Sequence, residues 1–167
     1  DGGGVLITQA IHTLDIMLLL CGPVKEVHGM VHTSSFHQLE AEDFSGALLN
    51  FESGARGTLM ASTTHFPGHK EEIILNCSEA TVNISGADLK VFYHNGKIES
   101  LETDSQTGSG SDPMDFSYTW HANVIEQFWT QFTKNQQIEI SAESALPVQQ
   151  LIDAIVRSSK LEKKVTV

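Results

Sequence analysis

The sequence predicts an α+β fold: an open, mostly antiparallel β-sheet with helices packed on one face. Two observations predict this class. The chain opens with an apolar helical stripe, and strand-like runs with short links follow it to about residue 103, before two further helical stretches. Strands joined by links this short pair in antiparallel fashion, and helices outside the strand region collect on one face of such a sheet.

The first helix is predicted over residues 6–20. Ile7, Ile11, Leu14 and Leu18 recur at helical spacing and form one apolar stripe. A Gly-Pro pair at 22–23 ends the helix, because glycine accepts the backbone conformation of a C-terminal cap and proline cannot continue the helix.

Two more helices are predicted in the last third of the chain. The second covers residues 118–134, and its expected buried stripe consists of Trp120, Val124, Phe128 and Phe132. The third extends to about residue 159 from a cap at Ser141. Pro147 lies inside this pattern and removes a backbone hydrogen bond there. A kink at Pro147, or a helix start nearer Leu146, would resolve the conflict.

The strands between these helices are predicted at 25–36, 43–52, 55–65, 71–77, 81–85 and 88–94, and residues 163–167 are expected to add an edge strand. Ser-Gly at 53–54 and Asn-Gly at 95–96 are hairpin signals. Ala47, Leu49 and Phe51 share one strand face and Leu48 lies on the other. Both faces are partly apolar, so we expect both to be covered.

Composition indicates an ordinary globular protein, and the length of 167 residues predicts a single domain over 1–167. Apolar residues make up 40% and charged residues 19% of the chain, which is enough apolar content for a core. The net charge of -11 repels phosphate backbones and anionic lipid headgroups. We therefore expect neither a nucleic-acid nor a membrane partner.

Cys21 and Cys77 lie in apolar runs and are predicted to be buried, and no C-x-x-C spacing occurs. The eight histidines form no recognised ligand set with cysteines or carboxylates, so no metal site is expected. A reducing cytoplasm is the predicted location.

Thr8, His12 and Asp15 are the one arranged polar group, because their spacing places them on one face of the first helix. A triple glycine at 2–4 precedes them and lets the backbone approach a ligand closely. An imidazole beside a hydroxylated ligand exchanges a proton at neutral pH, and a nearby carboxylate orients it. The alternative is a satisfied surface pair of His12 and Asp15, which the pattern alone favours.

The segment 2–15, GGGVLITQAIHTLD, resembles the start of the C-terminal domain in the glucose–fructose oxidoreductase / inositol dehydrogenase family (Gfo/Idh/MocA). Members typically show a glycine run, an Asp or Asn, a Gly or Ala, and then a His followed by x-x-Asp. The likeness continues through 20–24, 42–43, 46–51, 54–59, 67–68 and 141–158, and thus over nearly the whole chain. The fold it implies is also grouped with the ferredoxin-reductase-like and dihydrodipicolinate-reductase-like domains.

The resemblance implies roles for four residues. His12 matches the family's catalytic histidine, which contacts the substrate hydroxyl and takes part in proton transfer. Thr8 stands where the family usually has Asp or Asn, and a threonine binds a hydroxyl but does not act as a general base. Asp15 matches the trailing aspartate, which is structural or orients the site. His69 follows a Pro-Gly turn where the family places substrate contacts.

The family's cofactor domain is expected to be absent from this chain. The sequence has no G-x-G-x-x-G and no Glu-Lys-Pro turn, and it begins with a glycine run leading into a helix, like the middle of a longer protein. The resemblance therefore implies that NAD or NADP binds only in the full-length protein, through the missing N-terminal Rossmann domain. No cofactor-binding residue is predicted here, and the fragment alone is expected to be inactive.

The activity implied is an NAD(P)-dependent oxidation of a sugar, polyol or cyclitol hydroxyl, with a small-molecule carbohydrate as substrate. The alternative is a non-catalytic module that binds a carbohydrate or assembles subunits, which the threonine at position 8 favours. The resemblance also implies a homodimer or homotetramer formed through the open sheet face.

Overall fold

A computed structural model describes residues 2–102, 118–139 and 141–167, except the side chain of Trp120. These residues form two compact units. The first unit contains Asp1–Phe66 and Ala142–Val167, and the second contains Pro67–Ser141.

The helices begin with a π-helical turn, Leu6–Ala10, that runs into α1, Ile11–Cys21. Helix α2 is Thr119–Thr133, and α3 is Leu146–Leu161, preceded by a 3₁₀ turn at Glu143–Ala145. The strands are β1 Val24–His32, β2 Phe44–Phe51, β3 Arg56–Ser62, β4 Glu72–Asn76, β5 Ala80–Ser85, β6 Asp88–Tyr93, β7 Ile98–Leu101 and β8 Val165–Thr166.

The first unit is a four-stranded antiparallel sheet in the order β3-β2-β1-β8, with apolar side chains of α1 and α3 packed into its core. The core residues buried most completely come from these helices and from β1 and β2: Leu6, Leu14, Val27, Leu49, Leu151 and Ile155. On β2, Ala47, Leu49 and Phe51 are buried whereas Leu48 is 61% exposed, so the predicted division of this strand's faces is confirmed.

The first helix follows the prediction in extent but differs in its buried stripe. Leu6 and Ala10 are buried together with Leu14, whereas Ile7 and Ile11 are only half-buried. The cause is local: the first turn is π-helical, which is wider than the α-helical turn that the periodicity assumes. The predicted end is confirmed, because Gly22 has φ 80° and donates its N–H to the carbonyl of Leu18.

Helix α3 starts at Leu146, with Pro147 in its first turn, where a missing N–H costs nothing. The later start is therefore confirmed, and the cap predicted at Ser141 is wrong. Near its end, α3 lies directly on β1: a Cβ added at Gly29 would stand 2.7 Å from the carbonyl oxygen of Ile155. The expected edge strand is confirmed as β8, which pairs with β1.

The second unit contains an antiparallel sheet in the order β4-β5-β6-β7. Gly96 has φ 87°, which confirms the Asn-Gly hairpin between β6 and β7. Strand β7 was not among the predicted runs, since its four residues, IESL, carry too little alternation to mark a strand. Cys77, predicted to be buried, is exposed because it lies just beyond the end of β4.

Helix α2 has the predicted extent, but its apolar stripe is exposed. Val124, Phe128 and Phe132 are 45%, 45% and 61% exposed, so the predicted burial of these three residues is wrong. The rings of Phe128 and Phe132 stack on each other along the helix instead, with their centroids 6.1 Å apart. The polar side of α2 is covered by the chain that follows, because Gln131 is buried and its amide oxygen accepts the N–H of Glu139.

The α+β class with antiparallel sheets is confirmed, and the strands divide between two four-stranded sheets. Among the helices of the described residues, none has the length and apolar character needed to cross a membrane.

Candidate active site

The start of the first helix is held by the end of the β1–β2 loop. The N–H of Val5 donates to the main-chain carbonyl of Glu42 at 2.8 Å, and the N–H of Leu6 donates to the Glu42 carboxylate at 3.2 Å. These two N–H groups belong to the set that a helix leaves without intrahelical partners. The carboxylate reaches the N–H of Leu6 because position 4 is glycine, where a Cβ would stand about 2.1 Å from the Glu42 carboxyl carbon.

The three polar residues predicted on this helix all have exposed side chains: Thr8, His12 and Asp15. The buried side chains of the same segment are apolar: Leu6, Ala10 and Leu14. The Thr8 hydroxyl donates to the carbonyl of Gly4 at 2.9 Å, so its hydrogen is used within the helix and its lone pairs stay available as acceptors. Within the described part of the chain, the structure records no hydrogen bond between His12 and Asp15.

A buried carboxylate organises the loop that reaches the helix start. Asp43 is fully buried, and its side chain accepts the N–H of Ser34 at 2.8 Å and the Ser34 hydroxyl hydrogen. His37 approaches the same carboxylate, with Nδ1 3.2 Å from Oδ2. The Ser34 hydroxyl, with its backbone N–H and His37, holds the pKa of Asp43 below its usual value, against the opposing effect of burial.

His69 lies outside the helix that carries the other three predicted site residues. It belongs to the second compact unit, in the connection between β3 and β4, and its side chain is exposed. The sequence-derived set therefore divides: Thr8, His12 and Asp15 share one helix, while a role for His69 stays a prediction.

The residues missed by sequence reasoning are Glu42, Asp43 and His37. Glu42 and Asp43 stand in one of the stretches that resemble the family, but no role was inferred for them. The contact from Glu42 to Leu6 joins residues 36 positions apart, and no local periodicity reports such a pairing. Among the described residues, no three His, Cys, Asp or Glu side chains lie close enough to hold a metal ion.

Comparison with known proteins gives one matching family and several similar folds. The family model described as GFO/IDH/MocA C-terminal domain matches residues 1–83, which include the first helix, the β1–β2 loop, β1, β2 and β3. The fold likeness to solved oxidoreductases described below extends over at least 99% of the chain. Over residues 1–83, just under half of its length, this chain matches the GFO/IDH/MocA family. Among curated proteins, no sequence matches it.

Three solved structures illustrate the likeness of fold. WlbA dehydrogenase from Bordetella pertussis, in complex with NADH and UDP-GlcNAcA, has a TM-score of 0.75 and 22% identity, with 99% of this chain and 45% of that chain covered. Levoglucosan dehydrogenase, in complex with NADH and levoglucosan, has a TM-score of 0.79 and 20% identity, covering 99% and 50%. An NAD binding oxidoreductase from Klebsiella pneumoniae has a TM-score of 0.79 and 22% identity, with 99% of this chain and 51% of that chain covered. The chain thus spans about half the length of these proteins.

Proposed function

We propose that this domain is the substrate side of an NAD(P)-dependent oxidoreductase that oxidises a hydroxyl of a sugar, polyol or cyclitol. The observation that carries the proposal is the exposed imidazole of His12, six residues beyond a helix start that Glu42 and Gly4 hold in place. In an enzyme of this class, a carbinol loses its hydroxyl proton to a base and a hydride to the nicotinamide.

The residues of this chain act on the substrate and not on the cofactor. Strands of the described residues pair antiparallel, whereas a dinucleotide site is built on parallel βαβ units. NAD or NADP would therefore be held by the part of the full-length protein outside this chain, and the isolated chain would be inactive. His12 takes the hydroxyl proton, the lone pairs of Thr8 accept a neighbouring hydroxyl, and Asp15 lies one turn further along the same helix.

The test is turnover in the full-length protein with a panel of sugars, polyols and cyclitols and with both nicotinamide cofactors. We expect reduction of NAD or NADP with at least one of them. His12→Ala should lower kcat by about 10²–10⁴-fold, the usual contribution of a general base. His94→Ala, an exposed histidine of the second unit, is the matched control. No turnover in the panel, or full activity of His12→Ala, would contradict the proposal.

The second candidate is a non-catalytic module that binds a carbohydrate or assembles subunits. Its support is Thr8, which replaces the family's Asp or Asn and whose hydroxyl hydrogen is donated to Gly4. Carbohydrate binding without turnover in the full-length protein would favour this candidate.

Assembly through the first unit's open sheet face forms part of the proposal. Met30, Leu48 and Met60 point away from α1 and α3 and are 57%, 61% and 79% exposed. An apolar surface of this kind on a sheet is typical of a contact between subunits. We expect a homodimer or homotetramer, in the cytoplasm, where the free thiols of Cys21 and Cys77 stay reduced.

A further inference from the structure

The β1–β2 loop carries a second imidazole, His37, whose orientation is set by Asp43. Asp43 is fully buried, and the side chain of His37 is 39% exposed. An ionised carboxylate only accepts hydrogen bonds, so the contact of 3.2 Å between Nδ1 and Oδ2 requires a hydrogen on Nδ1. In the neutral ring, Nε2 then keeps its lone pair and accepts hydrogen bonds.

The carboxylate is well suited to this orienting role. Ser34 donates both its N–H and its hydroxyl hydrogen to Asp43, which satisfies the buried charge before His37 is counted. The main chain of Asp43 is fixed as well, because its N–H donates to His32 and its carbonyl accepts the N–H of Thr63. A carboxylate held this firmly orients an imidazole, as it does in metal sites and hydrolytic triads.

The loop is tied to the helix that carries Thr8 and His12. Glu42 is the residue before Asp43, and it accepts the N–H groups of Val5 and Leu6 at the helix start. Two large apolar side chains flank His37 on the loop, Phe36 at 81% and Leu39 at 53% exposed. Apolar surface with a few oriented polar groups is the composition of a small-molecule site.

We propose that His37, held by Asp43, is a further substrate-binding residue, whose Nε2 accepts a hydrogen bond from a ring hydroxyl of a sugar or cyclitol while Phe36 contacts the ring's apolar face. This inference rests on the proposed function, since it names a substrate contact on the loop whose Glu42 holds the start of the same helix. His37 binds and orients the substrate, whereas His12 takes the proton of the hydroxyl that is oxidised.

The first experiment measures the tautomer of His37 in this chain by nitrogen NMR with labelled histidine, at a pH where imidazoles are neutral. We expect hydrogen on Nδ1 and a bare Nε2, and a shift of the Nε2 signal when D-glucose, levoglucosan or myo-inositol is added in excess. Ser34→Ala keeps the carboxylate and should keep the tautomer. Hydrogen on Nε2 in the unaltered chain would overturn the inference.

The second experiment is kinetic and uses the full-length protein with the sugar that it oxidises. His37→Ala should raise KM about tenfold with kcat little changed, because a contact equal in ground and transition states affects binding alone. His37→Gln, which returns an acceptor, should raise KM less, and His94→Ala should leave it unchanged. An unaltered KM in His37→Ala would overturn the inference and leave the proposed function standing.

Absence of turnover with every sugar would instead contradict the proposed function, and the NMR titration would then decide on His37. A shift at Nε2 on addition of any of the three probes would support the substrate contact, and no shift with all three would overturn it.

Discussion

Gly4 and Glu42 form a close contact that sets the first turn of the first helix. Gly4→Ala places a methyl group where the Glu42 carboxylate lies, so the side chain must move and its bond to Leu6 is lost. We expect a loss of about 1 kcal/mol in the free energy of unfolding, the net value of one hydrogen bond.

A double-mutant cycle measured by denaturant unfolding checks the origin of this loss. In a Glu42→Ala background the carboxylate is already absent, and Gly4→Ala should cost clearly less than it does in the unaltered chain. Equal costs in both backgrounds would show that the two residues act independently.

Ser158 joins the end of α3 to β1 through its side-chain hydroxyl. It is fully buried, its hydroxyl accepts the N–H of Gly29 at 2.9 Å, and it donates to the carbonyl of Lys163 at 2.6 Å. Ser158→Ala leaves a buried N–H of β1 without this partner, so the free energy of unfolding should fall by about 1–3 kcal/mol.

Ser159 provides the comparison, because its hydroxyl accepts the N–H of Val31 at a less buried position. Ser159→Ala should cost less than Ser158→Ala in chemical denaturation. The reverse order would mean that burial does not determine the value of these two bonds.

Among the structural elements, the β1–β2 loop should make the free energy of unfolding depend on pH. The pKa of Asp43 is lowered in the folded chain, chiefly by the Ser34 hydroxyl, whereas an unfolded aspartate titrates at about 3.9. A lowered folded pKa gives stability that is fully present above the unfolded pKa and is lost as the pH falls below about 4. Asp43→Asn should flatten this acid loss in unfolding measured against pH.

Part of the dependence of the unfolding free energy on pH will remain in Asp43→Asn. The pKa values of Glu26 and Glu99 are also lowered, by hydrogen bonds from Lys164 and Lys97. Asp153→Asn, on the exposed side of α3, controls for the loss of one negative charge. A slope as steep in Asp43→Asn as in the unaltered chain would contradict the assignment to this carboxylate.

The elements also show which sequence patterns were sufficient. Positions of β1 to β6 followed from alternation and hairpin signals, because strand faces and turn conformations depend on adjacent residues. The apolar stripe of α2 gave a wrong prediction of burial for the opposite reason. Helical periodicity shows that Val124, Phe128 and Phe132 share a face, but burial depends on which element packs there.

For the whole molecule, we expect assembly through the open face of the first unit's sheet. Leu48 lies between His28 and Thr58 on that face and is 61% exposed. If a second copy packs there, Leu48→Lys places a charge in the apolar contact and should reduce the molecular mass found by light scattering. Leu101→Lys, equally exposed on the second sheet, is the matched control and should leave the mass unchanged.

Sequence patterns were sufficient to predict the order and type of most elements, to place Thr8, His12 and Asp15 on one helix, and to reveal the resemblance to the GFO/IDH/MocA family. All of these depend on residues close together in the chain. The folded arrangement was needed for the rest: the division of the strands into two sheets, the hold of Glu42 on the helix start, and the carboxylate of Asp43 behind His37. Leu6 and Glu42 are 36 positions apart, and β1 pairs with β8 from the other end of the chain, so these contacts depend on how strands and loops are placed in space.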